Sequence, residues 1–354
     1  MEGTDARLLS QNRRRKVNWT KAERKLSGPQ PTDRFLPQSG GYAMSETVLL
    51  NERLFWVKMP VTARRPDGIL CFGIKACERK DTMPIKLIAA DMDGTLLDSQ
   101  KRLPAGLDAL IHALYAQGVR FAPASGRQYY TLYEQFRDSF GAVADELIYI
   151  SENGAMVCDG AKLLSFDAMP ADEVCRAVEA VRRMPGVYTI VSAQDGGVYE
   201  QGDDAAFQEN IALYCTRRRP VPDLLEFVRH EPVCKVALFC AGRAEQVLLP
   251  AFADFSETSQ VALSGADWVD LMRPGMNKGG ALGALCTRLG ISPDDCMAFG
   301  DYLNDLELLQ AAGESYAMEN GHETLKAAAK YICPSNDDDG VCRTIRRVFG
   351  IDKC

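Results

Sequence analysis

Several features that would quickly assign a function are missing from this sequence of 354 residues. No apolar run approaches the roughly 18–20 residues that a membrane-spanning helix needs, and the N-terminus lacks the charged-then-apolar pattern of a signal peptide. The twelve cysteines contain no Cys-x-x-Cys pair, and only three histidines accompany them. Because structural zinc sites need four clustered ligands, this spacing argues against one. We therefore expect a soluble, cytoplasmic protein with reduced thiols and no membrane segment.

Charge is distributed unevenly along the chain. The net charge is −7, but residues 1–82 contain 16 Lys and Arg against 9 Asp and Glu, which leaves −14 for the remainder. An acidic body argues against nucleic-acid binding, and the basic run at residues 13–16 has no accompanying recognition motif. Glycine, proline and charged residues are scattered through residues 1–82, which we expect to be disordered or a misassigned extension that precedes a true start at Met83.

From residue 83 onward, short apolar segments alternate with helical patterns. Strands are predicted at residues 86–90, 120–124, 147–151, 267–272, 296–299 and 315–318. Helices are predicted at residues 105–117, 129–136, 279–289, 303–311 and 322–328. Strands that are apolar throughout are typical of a parallel sheet covered on both faces. The fold class is therefore α/β, with a Rossmann-like parallel-sheet core.

The middle of the chain departs from this alternation. It contains a predicted helix at 171–184, a hairpin around the Asp-Gly-Gly turn at 195–197, a strand at 233–239 and a helix at 243–252. This pattern is typical of a smaller α+β domain. We predict a core formed by residues 83–158 and 267–354, with residues 159–266 inserted as an α+β cap domain.

The strongest chemical signal is Asp-Met-Asp-Gly-Thr at residues 91–95, directly after an apolar strand. The C-terminal ends of parallel strands face the ligand crevice, so Asp91 and Asp93 can both turn into one site. One carboxylate can attack phosphorus while the other protonates the leaving oxygen. Taken alone, the motif is also compatible with an ordinary surface turn.

Three further segments carry groups that suit phosphate and metal ions. Ser125 and Gly126 follow a predicted strand and can bind phosphate oxygens at a helix N-terminus, although a plain helix N-cap has the same pattern. Lys278 near a helix start can neutralise phosphate, or it can be a solvated surface lysine. The segment Gly-Asp-Tyr-Leu-Asn-Asp at 300–305 offers hard oxygen ligands for magnesium, or an acidic helix cap.

Together the four segments are far more specific than any one of them. With these motifs, and with Ser-Glu-Asn-Gly-Ala at residues 151–155, the chain from about 84 to 350 resembles the haloacid dehalogenase superfamily. The closer resemblance is to the Cof-type hydrolases, which carry a large cap of class IIB. The insertion between the segments of Ser125 and Lys278 lies where that group carries its cap.

The resemblance implies a role for each motif residue. Asp91 would be the nucleophile that becomes an aspartyl-phosphate, and Asp93 would be the general acid and then the base that activates water. Magnesium would be bound by Asp91, by the backbone carbonyl of Asp93 and by Asp301. Because the acid must be protonated near neutral pH, we expect burial to raise the pKa of Asp93.

The remaining motif residues would bind the phosphoryl group or support the site. Phosphate ligands would be Ser125, Gly126, Lys278 and Asn304. Supporting residues would be Asp305 and Asn153. Many members of the group have threonine in place of Ser125, but a hydroxyl is retained here, so the departure does not affect the prediction.

The sequence thus predicts a Mg²⁺-dependent phosphatase acting on small phosphate esters, such as sugar phosphates or cofactor and nucleotide phosphates. A phosphotransferase or mutase on the same scaffold is an alternative, in which a sugar hydroxyl replaces water as the acceptor. A non-catalytic protein that binds phosphorylated metabolites is a third possibility. No motif in residues 159–266 identifies the leaving group, and the oligomeric state is left open.

Overall fold

The computed structural model describes residues 85–202 and 204–351, together with the backbone of two strands nearer the N-terminus. These are β1 (Ser45–Leu50) and β2 (Arg53–Lys58), which pair antiparallel. The prediction that residues 1–82 are disordered or a misassigned extension otherwise concerns residues outside the described part of the chain. All other described elements belong to one compact unit, Arg79–Cys354.

Fourteen strands and ten helices make up the described part of this unit. The strands are β3 (Leu87–Asp91), β4 (Arg120–Ala124), β5 (Ile148–Ser151), β6 (Met156–Asp159), β7 (Lys162–Phe166), β8 (Tyr188–Ala193), β9 (Gly196–Glu200), β10 (Arg218–Val221), β11 (Val233–Phe239), β12 (Gln260–Leu263), β13 (Trp268–Met272), β14 (Cys296–Gly300), β15 (Glu314–Met318) and β16 (Tyr331–Cys333). The helices are α1 (Leu107–Tyr115), α2 (Tyr129–Phe140), α3 (Ala171–Arg182), α4 (Ala205–Tyr214), α5 (Leu224–His230), α6 (Leu249–Ala251), α7 (Lys278–Leu289), α8 (Leu306–Ala311), α9 (Glu323–Ala328) and α10 (Gly340–Phe349). None of these helices is long and apolar enough to cross a membrane.

The first sheet has eight strands in the order β16-β15-β14-β3-β4-β5-β6-β7. The six strands from β16 to β5 run parallel, and β6 and β7 extend the sheet antiparallel. One face packs against α1, α2 and α10, and the other against α7, α8 and α9. All five residues of β3 are buried, as expected for a central strand covered on both faces. The predicted α/β class is confirmed.

The second sheet has six strands in the order β10-β9-β8-β11-β13-β12. All neighbours are antiparallel except β9 and β10. One face is covered by α3, α5 and the π-helical turn Ala244–Leu248, and α4 covers part of the other face. This α+β composition is that of the predicted inserted segment.

One predicted strand belongs to a different sheet from the one expected. The strand at 267–272 was expected in the core, but β13 pairs with β11 and β12 in the second sheet. Its apolar side chains suit either sheet, and only its pairing with β11, which is distant along the chain, decides between them. Conversely, β7 was expected in the cap because the first core segment was predicted to end at residue 158, but it belongs to the first sheet. The two sheets therefore divide the chain between β7 and β8, and again between β13 and β14.

Candidate active site

Asp91 is the last residue of β3 and begins a tight loop at the C-terminal edge of the first sheet. The amide of Leu96 donates to the Asp91 carbonyl at 3.1 Å, and that of Leu97 donates to the Met92 carbonyl at 2.8 Å. Gly94 has a φ of +82° within this loop, a conformation that glycine adopts without steric cost. The loop thereby turns back on itself and leaves the buried Asp91 carboxylate at its base.

Lys278 reaches this carboxylate from the first residue of α7. Its Nζ lies 2.5 Å from Asp91 Oδ1 and 2.6 Å from Asp305 Oδ1. The helix begins here because the Asn277 side chain accepts a hydrogen bond from the amide of Gly280 at 2.7 Å. A Cβ at Gly279 would lie 2.2 Å from the Glu307 carbonyl oxygen. The absence of a side chain there lets α7 approach α8, which brings Lys278 and Asp305 together.

Three carboxylates converge beside this lysine. One oxygen each of Asp91, Asp301 and Asp305 lies within 4.8 Å of the others. The Thr95 hydroxyl donates to Asp301 Oδ1 at 2.9 Å. Asp305 Oδ2 accepts from the amides of Asp301 at 3.1 Å and Tyr302 at 3.3 Å. Asp305 therefore has both oxygens in use, which suits the supporting role predicted for it.

This cluster has more negative than positive charge. Burial, then the charge of Asp305, raises the pKa of Asp91 to about 8 although Lys278 opposes the shift. The pKa of Asp301 is also raised, mainly by burial. Hard carboxylate oxygens with an uncompensated charge match the ligands that a divalent cation such as magnesium prefers. The residues present therefore fit a cation next to Asp91 and Asp301.

Asp93 does not have the environment that was expected. Its Oδ1 accepts from Arg127 Nη2 at 2.6 Å and from Lys101 Nζ at 2.7 Å. Burial acts to raise the pKa of Asp93, but these two cations outweigh it and hold the pKa below its usual value. The expectation of a raised pKa was wrong, because the sequence does not reveal that two positive side chains converge on this carboxylate.

The 125–127 loop follows β4 and is fixed by its neighbours. The buried Ser125 hydroxyl accepts from the amide of Arg127 at 3.2 Å. The amide of Asn153 donates to the Ser125 carbonyl at 3.0 Å. A Cβ at Gly126 would lie 3.0 Å from Asn153 Oδ1, so the missing side chain lets Asn153 lie close against this loop. Ser125, Gly126 and Asn153 therefore form one surface beside Asp91.

A cavity of about 730 Å³ lies between the two sheets, with these residues at its base. Seven of the nine predicted site residues line it, and the exceptions are Lys278 and Asp305. Lys278 Nζ contacts the Asp91 carboxylate from behind, and Asp305 contacts the same ammonium. Asn304 lines the cavity from an exposed turn that precedes α8. The predicted residues thus come together in one place, as residues from separate loops.

Residues that the sequence analysis did not select also line the cavity. Among them are Arg127 and Glu152, from loops that follow strands of the first sheet, and Lys235, Trp268 and Asp270 from the second sheet. Lys235 had a visible signal, since it is the only charged residue in the otherwise apolar β11. Glu152 belongs to the 151–155 motif and Arg127 directly follows the predicted phosphate ligands at 125–126, whereas Trp268 and Asp270 are ordinary members of the predicted strand at 267–272.

Comparisons with known proteins agree on one family. A family model described as haloacid dehalogenase-like hydrolase matches residues 88–345. The chain is similar to the 5-amino-6-(5-phospho-D-ribitylamino)uracil phosphatase YbjI of Escherichia coli, with 32% identity over 75% of this chain and 97% of that protein. It is also similar to the HMP-PP phosphatase of Cronobacter sakazakii, with 30% identity over 70% of this chain and 89% of that protein.

Solved structures resemble the chain over the same region. One is SMU.1108c from Streptococcus mutans, with a TM-score of 0.65 and 28% identity over 75% of this chain and 99% of that one. Another is a haloacid dehalogenase-like hydrolase from Bacteroides thetaiotaomicron, with a TM-score of 0.65 and 27% identity over the same shares of the two chains. The similarity thus extends across both sheets.

Proposed function

The chain belongs to the haloacid dehalogenase-like hydrolases and is a phosphatase, and from this premise we propose that Asp91 is its nucleophile. The observation that carries the proposal is the buried contact between Asp91 and Lys278, at the end of β3 and the base of the cavity. In the first step an Asp91 oxygen forms a bond to phosphorus, and the ester bond to the leaving oxygen breaks. Lys278 offsets the charge that develops on the nucleophile and the phosphoryl group.

We propose that Asp93 supplies the proton to the leaving oxygen. In the substrate-free arrangement, Arg127 and Lys101 favour the ionised form of Asp93. A phosphoryl group bound beside them would share their positive charge, which returns the pKa of Asp93 toward the protonated form. After the alcohol leaves, ionised Asp93 takes a proton from water, the water oxygen attacks phosphorus, and Asp91 and inorganic phosphate are released.

The metal ion in this proposal is Mg²⁺. Asp91, Asp301 and the backbone carbonyl of Asp93 would hold it, with Asp305 orienting Lys278 and the Asp301 loop through its hydrogen bonds. When bound, it would supply positive charge against the phosphate oxygens, which lets two anions approach each other. Ser125, Gly126 and Asn304 would bind the phosphoryl oxygens, and Asn153 would hold the 125–127 loop.

The side chains that line the cavity indicate which class of substrate it binds. Four of the eight exposed large apolar side chains in the described residues line it: Tyr214, Leu263, Tyr302 and Leu303. Exposed apolar groups gathered at one cavity indicate a binding surface. We propose that the leaving group is a small molecule with a flat, partly apolar ring, and that the second sheet and its helices form the cap that selects it. The E. coli relative is named for a phosphorylated ribitylaminouracil, which is a first substrate to test.

We also propose a cytoplasmic location, since the nine cysteines in the described residues are free thiols, as is typical of reducing compartments.

The test is phosphate release from a panel of small phosphate esters, with and without Mg²⁺, by the wild type and by Asp91→Asn. Release that requires the metal and falls at least about 1,000-fold in the variant supports the nucleophile assignment. Asp138→Asn, at an exposed position of α2, is the matched control and should retain activity. An Asp91→Asn protein with the wild-type rate would contradict the mechanism. Phosphate found on an added sugar instead of in solution would indicate a transferase.

A further inference from the structure

Lys235 brings a buried charge from the second sheet to the 125–127 loop of the first. It lies in β11, an inner strand of the second sheet, and only 8% of its surface is exposed. Its Nζ forms an ion pair with the buried Glu152 carboxylate and lies 3.7 Å from Asp270 Oδ2. The same ammonium donates to the Gly126 carbonyl oxygen at 2.9 Å. One side chain therefore joins the two sheets at the point where a phosphoryl group would bind.

The hydrogen bond to Gly126 completes a regular pattern. The amide of Asn153 donates to the Ser125 carbonyl, and the amide of Glu152 donates to the Arg127 carbonyl, each at 3.0 Å. All three carbonyls of the 125–127 loop are thus held from outside the loop. Two of the donors belong to the turn after β5, within the first sheet. Only the middle carbonyl depends on a residue of the second sheet.

Fixing this carbonyl also fixes the amide that follows it. In a planar trans peptide, the C=O of one residue and the N–H of the next point in opposite directions. The Gly126 carbonyl therefore sets the direction of the Arg127 N–H, which donates to Ser125 Oγ at 3.2 Å. Lys235 thereby influences the backbone amide that holds the Ser125 hydroxyl, the proposed phosphate ligand.

Lys235 is poorly suited to the other role open to a cavity lysine, which is to bind a second anionic group of the substrate. Its charge is already opposed by two carboxylates, those of Glu152 and Asp270. Burial acts to lower the pKa of Lys235, but the same two carboxylates outweigh it and raise the pKa. The ammonium is charged, compensated and engaged with a backbone carbonyl.

We propose that Lys235 is a positioning residue for phosphate binding, supplied by the second sheet, which orients Ser125 and the Arg127 amide through the Gly126 carbonyl. This inference rests on the proposed role of Ser125 as a phosphate ligand. It makes the phosphate site complete only when the second sheet lies against the first. Phosphate affinity should then depend on a side chain that does not itself touch phosphate.

The experiment separates positioning from stability with three variants of the full chain. Lys235→Met removes the ammonium but leaves Glu152 buried without its cation, so it should lower Tm as well as function. Lys235→Met combined with Glu152→Gln removes that unpaired charge and should recover much of the Tm. Glu152→Gln alone keeps Lys235 beside Asp270 and Gly126, and measures what loss of the ion pair costs by itself.

Two readouts are measured with Mg²⁺ present: the affinity for inorganic phosphate, from the phosphate-induced rise in Tm, and kcat/KM for an ester that the wild type turns over. In both Lys235→Met proteins we expect phosphate affinity to fall about 10-fold and kcat/KM to fall about 10- to 100-fold, as for a slightly misplaced binding loop. Recovery of phosphate affinity together with Tm in the double variant would overturn the proposal. Because the rise in Tm reports affinity even for a weakly stable variant, a low Tm still permits a decision.

The same data keep this proposal distinct from the catalytic mechanism. If the wild type releases no phosphate from any ester, the mechanism fails. Phosphate binding that is nevertheless weakened by loss of Lys235 would still support the positioning role. Active wild-type enzyme with equal phosphate affinity in all variants would overturn the positioning role alone.

Discussion

Lys278 Nζ lies 2.5 Å from Asp91 Oδ1, and both side chains are buried. The same ammonium lies 2.6 Å from Asp305 Oδ1, so one positive charge serves two carboxylates while Asp301 adds a third. Burial, together with the charge of Asp305, outweighs the opposing charge of Lys278 and raises the pKa of Asp91 to about 8. Asp91, the proposed nucleophile, is therefore fully ionised near neutral pH only when additional positive charge is present.

Asp91→Asn should stabilise the metal-free protein at alkaline pH while it abolishes turnover. Folding raises the Asp91 pKa from 3.8 to about 8, chiefly through burial. The folded state then holds a proton that the unfolded state has released, so wild-type stability falls as pH rises from about 4 to 8. The Asp91→Asn variant does not lose stability in this way, because an asparagine side chain does not titrate. In EDTA its Tm should exceed that of the wild type by about 5 °C at pH 8, and by less at pH 5.

Asp93→Asn provides a control in which the change in Tm should have the opposite sign. Arg127 and Lys101 hold the Asp93 pKa below its usual value despite partial burial, so the ionised group contributes stability that is lost as pH falls through its folded pKa. This variant should have a lower Tm than the wild type at pH 7, and the difference should shrink in acid. Equal pH dependence of Tm in both variants would contradict the assigned environments.

Mg²⁺ should raise the Tm of the wild type through the cluster beside Asp91. A cation that binds only the folded state stabilises it by about 2.7 kcal/mol at 100 times its Kd. Asp301→Asn removes one of the clustered oxygens and should lose most of this gain. The exposed Asp138→Asn should keep it. Thermal unfolding over a Mg²⁺ titration measures the effect, and identical gains in all three proteins would place the cation elsewhere.

The loops that form the proposed site were predictable because their signals are local. Asp91 is the last residue of an apolar strand of the first sheet, and Ser125 and Asp301 each directly follow one. That arrangement is visible in a few consecutive residues. Sheet membership is not local. The strand β13 looks like the others in sequence, but its pairing with β11 places it in the second sheet.

The electrostatic details were not predictable for the same reason. The Asp93 carboxylate meets Lys101 and Arg127, which are 8 and 34 residues away along the chain. Lys235 is the one charged residue of an apolar strand, but its partner Glu152 lies in the turn after β5 of the other sheet. A charged residue can be noticed in the sequence, whereas the groups that compensate it depend on the tertiary fold.

Gly94→Ala should disable the cation site by a steric route. A Cβ at Gly94 would lie 2.4 Å from Asp301 Oδ2, and the residue also has a φ of +82°. The side chain of Asp301 would have to move, so we expect loss of the Mg²⁺-induced rise in Tm and a fall in kcat of about 100-fold or more. Gly118→Ala is the matched control, with a φ of +77° and no atom within 4 Å of the added Cβ.

Both glycine variants bear a similar backbone cost, of about 1 kcal/mol or somewhat more. The control should therefore lose comparable stability and keep both its activity and its response to Mg²⁺. If Gly118→Ala lost activity to the same extent, the effect of Gly94→Ala would reflect backbone strain and not displacement of Asp301.

Tyr214→Ala should change substrate preference and leave the chemistry intact. Tyr214 lines the cavity from the end of α4, with 55% of its surface exposed. If it packs against a ring of the leaving group, its removal should lower kcat/KM about 10-fold for a ring-bearing phosphate ester, a typical loss for an aromatic contact of about 1–2 kcal/mol. The rate for glycerol phosphate, which has no ring, should change little.

Leu213→Ala tests whether that loss is specific. Leu213 precedes Tyr214 in α4 and is more exposed, at 73%, but it does not line the cavity. Its removal should leave the ratio of kcat/KM for the two esters unchanged, because no apolar contact with the leaving group is lost. A parallel fall for both esters in Tyr214→Ala would instead mean that the tyrosine supports the fold of the second sheet, since a specificity residue must act on the ratio of the two rates.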